Sequence, residues 1–198
     1  PEMKGLILDL RDNPGGFLEQ AVTICSAFIP NGTFVCETRG RIEGALLRYV
    51  SKEAPIDTLM PIAVLVNSRS ASASEVVSGT LQDLDRAAIV GQRSFGKGLV
   101  QITRPLEYNS QIKLTTAKYY TPSGRCIQAL DYSNRNPDGS VGKVPDSLKR
   151  VFKTKAGRTV YDGGGIEPDW KVEKKNYPTI ARELSEQWVI FGFATEYS

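Results

Sequence analysis

The stretch IAVLVNSRSASASEVVSGTLQDL, residues 62–84, decides the fold class. Its first five residues are apolar and mostly β-branched, which predicts a buried strand, and a turn of small residues follows over 68–74. From Val76 to Leu84, apolar positions recur at helical spacing. A strand, a turn and a helix in this order predict one unit of an α/β domain with parallel strands.

The same order occurs on either side of this stretch. Upstream, GLILDL (5–10) predicts a strand, DNPGG (12–16) predicts a turn and residues 18–29 predict a helix. Downstream, residues 87–90 predict another short strand. Strands without intervening helices are predicted over 33–38, 46–50, 100–106 and 111–120. We therefore expect an α/β core with additional antiparallel strands.

The rest of the sequence predicts the domain organisation. Residues 131–150 are polar and rich in turn formers, which indicates an exposed loop or excursion. Residues 153–161 predict a hairpin, and residues 177–191 predict a helix. We expect one core domain over residues 1–170 and a C-terminal helical segment over residues 171–198.

The composition excludes several classes of chemistry. The 198 residues contain no His, which excludes Ser-His-Asp triads and Cys-His dyads within the chain. The 25 basic residues are spread among 22 acidic ones, so nucleic acid is not an expected partner. The three cysteines, Cys25, Cys36 and Cys126, lack C-x-x-C spacing, so a structural zinc site is not expected, and no cofactor is predicted. Acid–base chemistry at neutral pH must therefore fall to Lys, a carboxylate, Tyr or Cys.

The motif GQRSFGKG, residues 91–98, is close to two known patterns and fits neither. It departs from the phosphate-binding P-loop because Gly98 has no hydroxyl and a strand is predicted next instead of a helix. Ser94 and Lys97 match the S-x-x-K motif of penicillin-recognising enzymes, but the S-D-N and K-T-G elements are missing. Lys97 is either a solvated lysine or a functional one. The glycines on both sides of it favour a backbone that bends tightly or passes close to another segment.

The segment SASASE, residues 70–75, has two interpretations. Ser72 and Glu75 match a capping box at a helix N-terminus, which predicts a structural role for Glu75. The position after a buried strand favours instead a nucleophile beside backbone donors. The residues alone leave both interpretations open.

Five segments together resemble the catalytic core of the C-terminal processing peptidases, also called tail-specific proteases. They are GLILDLRDNPGG, VLVNSRSASASEVVSGTLQDLDRA, VGQRSFGKGLVQ, KLTTAKYYTPSGRCIQ and GGGIEPD, in family order across residues 5–169. The resemblance implies the fold of the Clp protease and crotonase superfamily, built from ββα units. This fold agrees with the predicted alternation of strands and helices.

The resemblance also implies which residues form the site. Ser72, the middle Ser of SASAS, corresponds to the family nucleophile, and Lys97 of F-G-K-G corresponds to its general base. Gln101 corresponds to the residue that supports the lysine. Arg69 departs from the family pattern, which usually has a small residue there, so we expect access to the site to differ.

The implied chemistry is acyl transfer by a Ser-Lys dyad. An ordinary lysine is protonated at neutral pH, but burial in an apolar site favours the neutral amine. Neutral Lys97 would then take the proton of the Ser72 hydroxyl. Gly15 and Gly16 lie where the family places one backbone donor of its oxyanion hole, and Ala73 would supply the other.

The partners and location are implied by the same resemblance. Family members usually carry an N-terminal region and a PDZ domain before the segment that begins here at Gly5. We therefore expect substrates with unstructured apolar C-termini. Because the family is usually exported, we expect a periplasmic or otherwise exported location, while homo-oligomer formation stays open. Because the chain opens with Pro1 inside a strand pattern, we expect a fragment of a longer protein, whose activity in isolation stays open.

Two rival functions stay open at this stage. The first is a pseudoprotease that binds peptides without cleaving them. The presence of Ser72, Lys97 and Gln101 argues against it. The second is a crotonase-type enzyme that acts on acyl-CoA, which would not need a Ser and a Lys at these positions.

Overall fold

The structure is a computed structural model, and it describes residues 3–41, 44, 46–173 and 178–197. The strands and helices follow the order β1 (Leu6–Asp9), α1 (Leu18–Ser26), β2 (Phe34–Gly40), β3 (Leu47–Val50), β4 (Ile62–Val66), α2 (Ala73–Asp83), β5 (Ala88–Gly91), β6 (Leu99–Pro105), β7 (Gln111–Tyr120), β8 (Leu130–Arg135), β9 (Val141–Lys143), β10 (Val151–Lys153), β11 (Thr159–Tyr161), β12 (Trp170–Lys171), α3 (Thr179–Glu186) and α4 (Val189–Tyr197).

The central sheet is parallel, as the strand–turn–helix order predicts. Its strand order is β1-β4-β5-β12, and every neighbouring pair runs parallel. The last strand, β12, has only two residues and was not predicted. Parallel strands place their carboxyl ends at one edge of the sheet, which is where sites form in α/β folds.

A second sheet is antiparallel and has the order β3-β2-β7-β6. Helix α2 packs against β2 of this sheet, against β5 of the parallel sheet and against α1. All eleven residues of α2 are buried. The helix that begins in the SASASE segment is therefore the central element of the core.

Buried polar side chains fix α2 at its middle and at its C-terminal end. In its middle, the Thr80 hydroxyl donates to the Val35 carbonyl oxygen of β2 at 2.8 Å. At its C-terminal end, Asp83 forms a salt bridge of 2.7 Å with Arg125, and these side chains are 0% and 1% exposed. A helix held in this way provides a rigid base for the loop that precedes it.

Two segments differ from the sequence-based expectations. Residues 131–150 are largely exposed, but they contain most of the antiparallel hairpin β8–β9 and a single 3-10 turn rather than an irregular loop. The predicted terminal helix is two helices, α3 and α4, because Trp188 adopts a φ of 60° between them. Tyr177, the predicted start of that helix, lies outside the described residues. Within the described part, no helix has both the length and the apolar character needed to cross a bilayer.

Candidate active site

The loops that follow β1 and β4 are joined at the carboxyl edge of the parallel sheet. The Ser70 hydroxyl donates to the Leu10 carbonyl oxygen at 2.6 Å, and the Ala71 N–H donates to the Asn13 carbonyl oxygen at 3.0 Å. These bonds bring the DNPGG loop next to the SASAS loop, although the two are more than 50 residues apart in sequence.

Asn67 holds the outer side of the same junction. Its Oδ1 accepts from the N–H groups of Asp12 and Arg69, each at 3.0 Å, and its Nδ2 donates to Asp12 Oδ1 at 3.1 Å. The Arg69 guanidinium lies 3.7 Å from the Asp12 carboxylate, and the Arg69 side chain is 80% exposed. Arg69 therefore lies at the outer surface of the loop junction.

Ser72 differs from the other two serines of SASAS. Ser70 and Ser74 are buried, whereas Ser72 is partly exposed and begins α2 at its N-cap. Its backbone has φ 57° and ψ −119°, a conformation that costs a non-glycine residue about 1–3 kcal/mol. Such strain is concentrated at functional sites, where the surrounding structure fixes it.

Gly15 packs directly against the Ser72 turn. Its φ is +93°, and a Cβ there would lie 2.6 Å from the Ala71 carbonyl oxygen and 2.7 Å from the Ala73 nitrogen. Only glycine fits this position without moving the backbone beside Ser72. Gly16, by contrast, has no atom within 4 Å of the place where its Cβ would be.

Two backbone N–H groups are available beside Ser72. The Gly15 N–H donates to Asn13 Oδ1 at 2.9 Å, so Gly15 is not a free donor. Among the described residues, the N–H groups of Gly16 and Ala73 have no hydrogen-bond acceptor. The Ala73 N–H lies in the first turn of α2, where the positive end of the helix dipole favours negative charge.

The Lys97 loop requires glycine on both sides, as the sequence indicates. A Cβ at Gly96 would lie 2.3 Å from the Ala129 Cβ, and one at Gly98 would lie 2.6 Å from the Gln128 nitrogen. The Gln128 side chain also accepts from the Gly98 N–H at 2.8 Å. No sequence signal pointed to Gln128, because this contact joins residues 30 positions apart.

Glu75 connects the Ser72 turn to the Lys97 loop. Its Oε2 accepts from the Ser72 N–H at 2.9 Å, which confirms the capping-box contact, and from the Lys97 N–H at 2.8 Å. Its Oε1 accepts from the Gly96 N–H at 2.7 Å and from the Ser94 hydroxyl. Burial is the largest influence on the pKa of Glu75 and raises it, while these four hydrogen bonds act in the opposite direction.

Ser94 is not positioned as a nucleophile. It is buried, its hydroxyl donates to Glu75, and the same oxygen accepts from the Ile166 N–H at 2.7 Å. These contacts attach the Lys97 loop to the GGGIEPD segment. The structure therefore agrees with the rejection of the S-x-x-K motif.

The backbone N–H groups of Ser72 and Lys97 share one acceptor oxygen of Glu75, but no direct bond joins the side chains of this predicted dyad in the described part of the chain. In the described part of the chain, no hydrogen bond joins the Ser72 hydroxyl to the Lys97 amine or the Lys97 amine to Gln101. Catalytic hydrogen bonds are often long in the absence of substrate. Gln101 lies exposed on β6 and borders a cavity of about 430 Å³ with Leu99 and Thr115.

The three cysteines are free and do not supply an alternative nucleophile. Cys25 and Cys36 are buried, and burial raises the pKa of both thiols, that of Cys36 to about 12. Burial also raises the pKa of Cys126. Thiols in such surroundings stay protonated at neutral pH and are inert.

Comparison with known proteins places these features in a family. Residues 1–141 match the model of Peptidase family S41. The chain belongs to this family. It is 50% identical over 129 residues to the carboxy-terminal-processing protease of Bartonella bacilliformis, a match that covers 65% of this chain and 30% of the relative. This S41 chain is also 39% identical over 168 residues to a probable CtpA-like serine protease of Staphylococcus aureus, covering 78% of the chain and 34% of that protein.

The solved structure of a photosystem II D1 C-terminal processing protease has the same fold. The match has a TM-score of 0.64 and 28% identity, and it covers 89% of this chain and 36% of that one. The predicted membership of the C-terminal processing peptidases and the mixed α/β fold are thereby confirmed. The S41 chain spans about a third of the length of each of these proteins.

Proposed function

We propose that this S41 chain is the catalytic core of a serine endopeptidase in which Ser72 is the nucleophile and Lys97 is the general base. The observation that carries the proposal is the strained Ser72 backbone at the start of a fully buried helix. The backbone N–H groups of Ser72 and Lys97 both donate to Glu75 Oε2, which holds the two residues close together. Gln101, four residues after Lys97, supports the amine in this scheme.

The proposed reaction proceeds through an acyl-enzyme. The neutral Lys97 amine takes the proton from the Ser72 hydroxyl as its oxygen attacks the peptide carbonyl carbon. The lysine ammonium then gives this proton to the leaving amine, and the C–N bond breaks. Water attacks the resulting ester while Lys97 accepts one of its protons, and that proton returns to Ser72 when the ester bond breaks.

The N–H groups of Gly16 and Ala73 stabilise the negative oxygen of each tetrahedral intermediate. Each such donor contributes about 3–4 kcal/mol to transition-state stabilisation. Both N–H groups lack acceptors among the described residues. Ala73 directly follows Ser72, and Gly16 directly follows Gly15, which packs against the Ser72 turn. The Gly15 N–H is committed to Asn13, so Gly15 contributes its shape rather than a donor.

The proposed substrates are polypeptides with unstructured, apolar C-termini. Two large apolar side chains beside the site support this preference, since Phe17 is 80% exposed next to Gly16 and Phe95 is 52% exposed two residues before Lys97. Relatives named for carboxy-terminal processing support it further. A PDZ domain elsewhere in the full protein and a periplasmic or otherwise exported location belong to the same proposal.

The test is cleavage of an unstructured polypeptide with an apolar C-terminus by the full-length protein. Wild type is compared with Lys97→Ala and with Lys113→Ala, which changes an exposed lysine on β7. We expect cleavage by wild type and Lys113→Ala and none by Lys97→Ala. Equal rates for all three proteins would exclude the dyad, and binding without cleavage by wild type would favour a pseudoprotease.

A further inference from the structure

Glu75 is a buried carboxylate whose surroundings consist of hydrogen-bond donors. Its side chain is 0% exposed, and each of its two oxygens accepts two hydrogen bonds. A capping box uses one of these four bonds, the one from the N-cap amide, and it functions equally well at a surface. Capping therefore does not explain why the carboxylate is buried, which is costly for an ionised group.

We propose that Glu75 is a positioning residue for peptide cleavage, because its Oε2 sets the spacing between Ser72 and Lys97 by holding the amide of each. The inference rests on the proposed function, in which those two residues form the dyad. Glu75 acts through the backbone and has no part in proton transfer.

The bonds to Oε2 join the two segments at the dyad residues themselves. Ser72 begins α2, whereas Lys97 lies in a loop 25 positions later, between two glycines that pack against Ala129 and Gln128. A backbone hydrogen bond of 3.0 Å from Phe95 to Ser70 also joins these segments, two residues before each member of the dyad. Among the described residues, only Glu75 accepts hydrogen bonds from the backbone N–H groups of Ser72 and Lys97 themselves.

All four groups bound to Glu75 are hydrogen-bond donors, so replacing one of its two oxygens by a donor disrupts these contacts. Glu75→Gln replaces one acceptor oxygen by an NH₂ group, which can only donate. If this group faces Ser72 and Lys97, it opposes two N–H donors. If it faces the other way, it opposes the Gly96 N–H, and only the Ser94 hydroxyl can rotate to accept. Capping alone predicts a mild effect of Glu75→Gln, whereas the contacts to the Lys97 loop predict a large one.

The experiment measures kcat and KM for the full-length protein on an unstructured polypeptide with an apolar C-terminus. Glu75→Gln is compared with Thr80→Ala, which removes a buried hydrogen bond from the same helix without touching the Glu75 contacts. A misplacement of about 1 Å lowers rate by about 100-fold, so we expect Glu75→Gln to lower kcat by about 10- to 100-fold. Its KM should stay within about threefold of wild type, since substrate binding is not removed. Thr80→Ala should lower Tm and retain kcat.

Ser72→Ala serves as the reference that separates the two proposals. Cleavage by folded Ser72→Ala would overturn the proposed function and the positioning role with it. An inactive Ser72→Ala beside a Glu75→Gln protein with wild-type kcat would overturn the positioning role alone. Equal losses of kcat in Glu75→Gln and Thr80→Ala would also overturn it, because general loosening of α2 would then be the cause.

Amide hydrogen exchange in the wild type tests the same claim without a variant, in case Glu75→Gln does not fold. Both the Ser72 and the Lys97 amide donate to the buried Oε2, so both should exchange slowly and at similar rates. Rapid exchange of either amide in the folded protein would contradict the role of Glu75.

Discussion

Gly15 lies so close to Ser72 that a Cβ at position 15 would be 2.9 Å from the Ser72 Cβ. The contact joins the turn after β1 to the turn after β4, which carry the proposed oxyanion donor and the proposed nucleophile. The spacing between these groups is therefore set by backbone packing as well as by hydrogen bonds.

This contact predicts that alanine destabilises the protein at Gly15 but has little effect on stability at the adjacent Gly16. Gly15→Ala should lower the free energy of unfolding by about 1–3 kcal/mol and reduce cleavage, because the new methyl group overlaps backbone atoms at a positive φ. Gly16→Ala should change stability by less than about 0.5 kcal/mol, since its Cβ would meet open space and its N–H is kept. Urea unfolding and a cleavage assay of both variants test the pair. Equal stability of the two variants would show that Gly15 is not packed in this way.

The backbone of Ser72 gives a prediction about stability that is independent of its hydroxyl. Ser72→Ala and Ser72→Gly should both fold and both lose cleavage, because each removes the nucleophile. Ser72→Gly should be more stable than Ser72→Ala by about 1–2 kcal/mol, since glycine accepts a φ of 57° and is a better N-cap than alanine. Thermal and urea unfolding measure the difference. Greater stability of Ser72→Ala would mean that the residue is not strained.

The sequence predicts much of this arrangement and misses the part that depends on distant contacts. The turns at 12–16 and 68–74 and the parallel strands before them follow from local patterns, and both turns were placed correctly apart from the early start of α2 at Ala73. The contacts of Glu75 to Gly96 and Lys97 have no local signature, because their geometry depends on how β5 and its following loop pack on α2. The contact of Gln128 with Gly98 has no local signature for the same reason.

A different limit applies to the C-terminal region. Residues 177–191 have a helical pattern, but local spacing alone did not predict that the chain would turn at Trp188. Gln101 shows a further limit of inference from resemblance. Its position four residues after Lys97 is clear from the sequence, yet its side chain borders a cavity and makes no hydrogen bond to Lys97 in the described part of the chain.

The buried salt bridge at the far end of α2 should dominate the stability of this helix. Arg125→Met leaves the Asp83 carboxylate and the Gln82 side-chain oxygen without the guanidinium that binds both at 2.7–2.8 Å. Removing one partner of a buried pair costs about 3–5 kcal/mol, and we expect a loss of this size. The control is Lys171→Met, because the pair of Lys171 with Glu167 is exposed and worth less than about 1 kcal/mol. Similar losses in urea unfolding of the two variants would contradict the structural account of this end of α2.

The central claim, general-base catalysis by Lys97, is tested most directly by the pH dependence of kcat/KM for wild type and Lys97→Arg in the full-length protein. Gln101→Ala is measured beside them, and folding is checked by circular dichroism at each pH. In wild type, kcat/KM should rise with pH as one amine loses its proton, with no second step from a histidine of residues 1–198, which contain none. Gln101→Ala should follow the same profile at a reduced rate that stays above that of Lys97→Arg. Lys97→Arg should be inactive at every pH, because guanidinium stays protonated and cannot accept the Ser72 proton. Substantial cleavage by folded Lys97→Arg would contradict the claim.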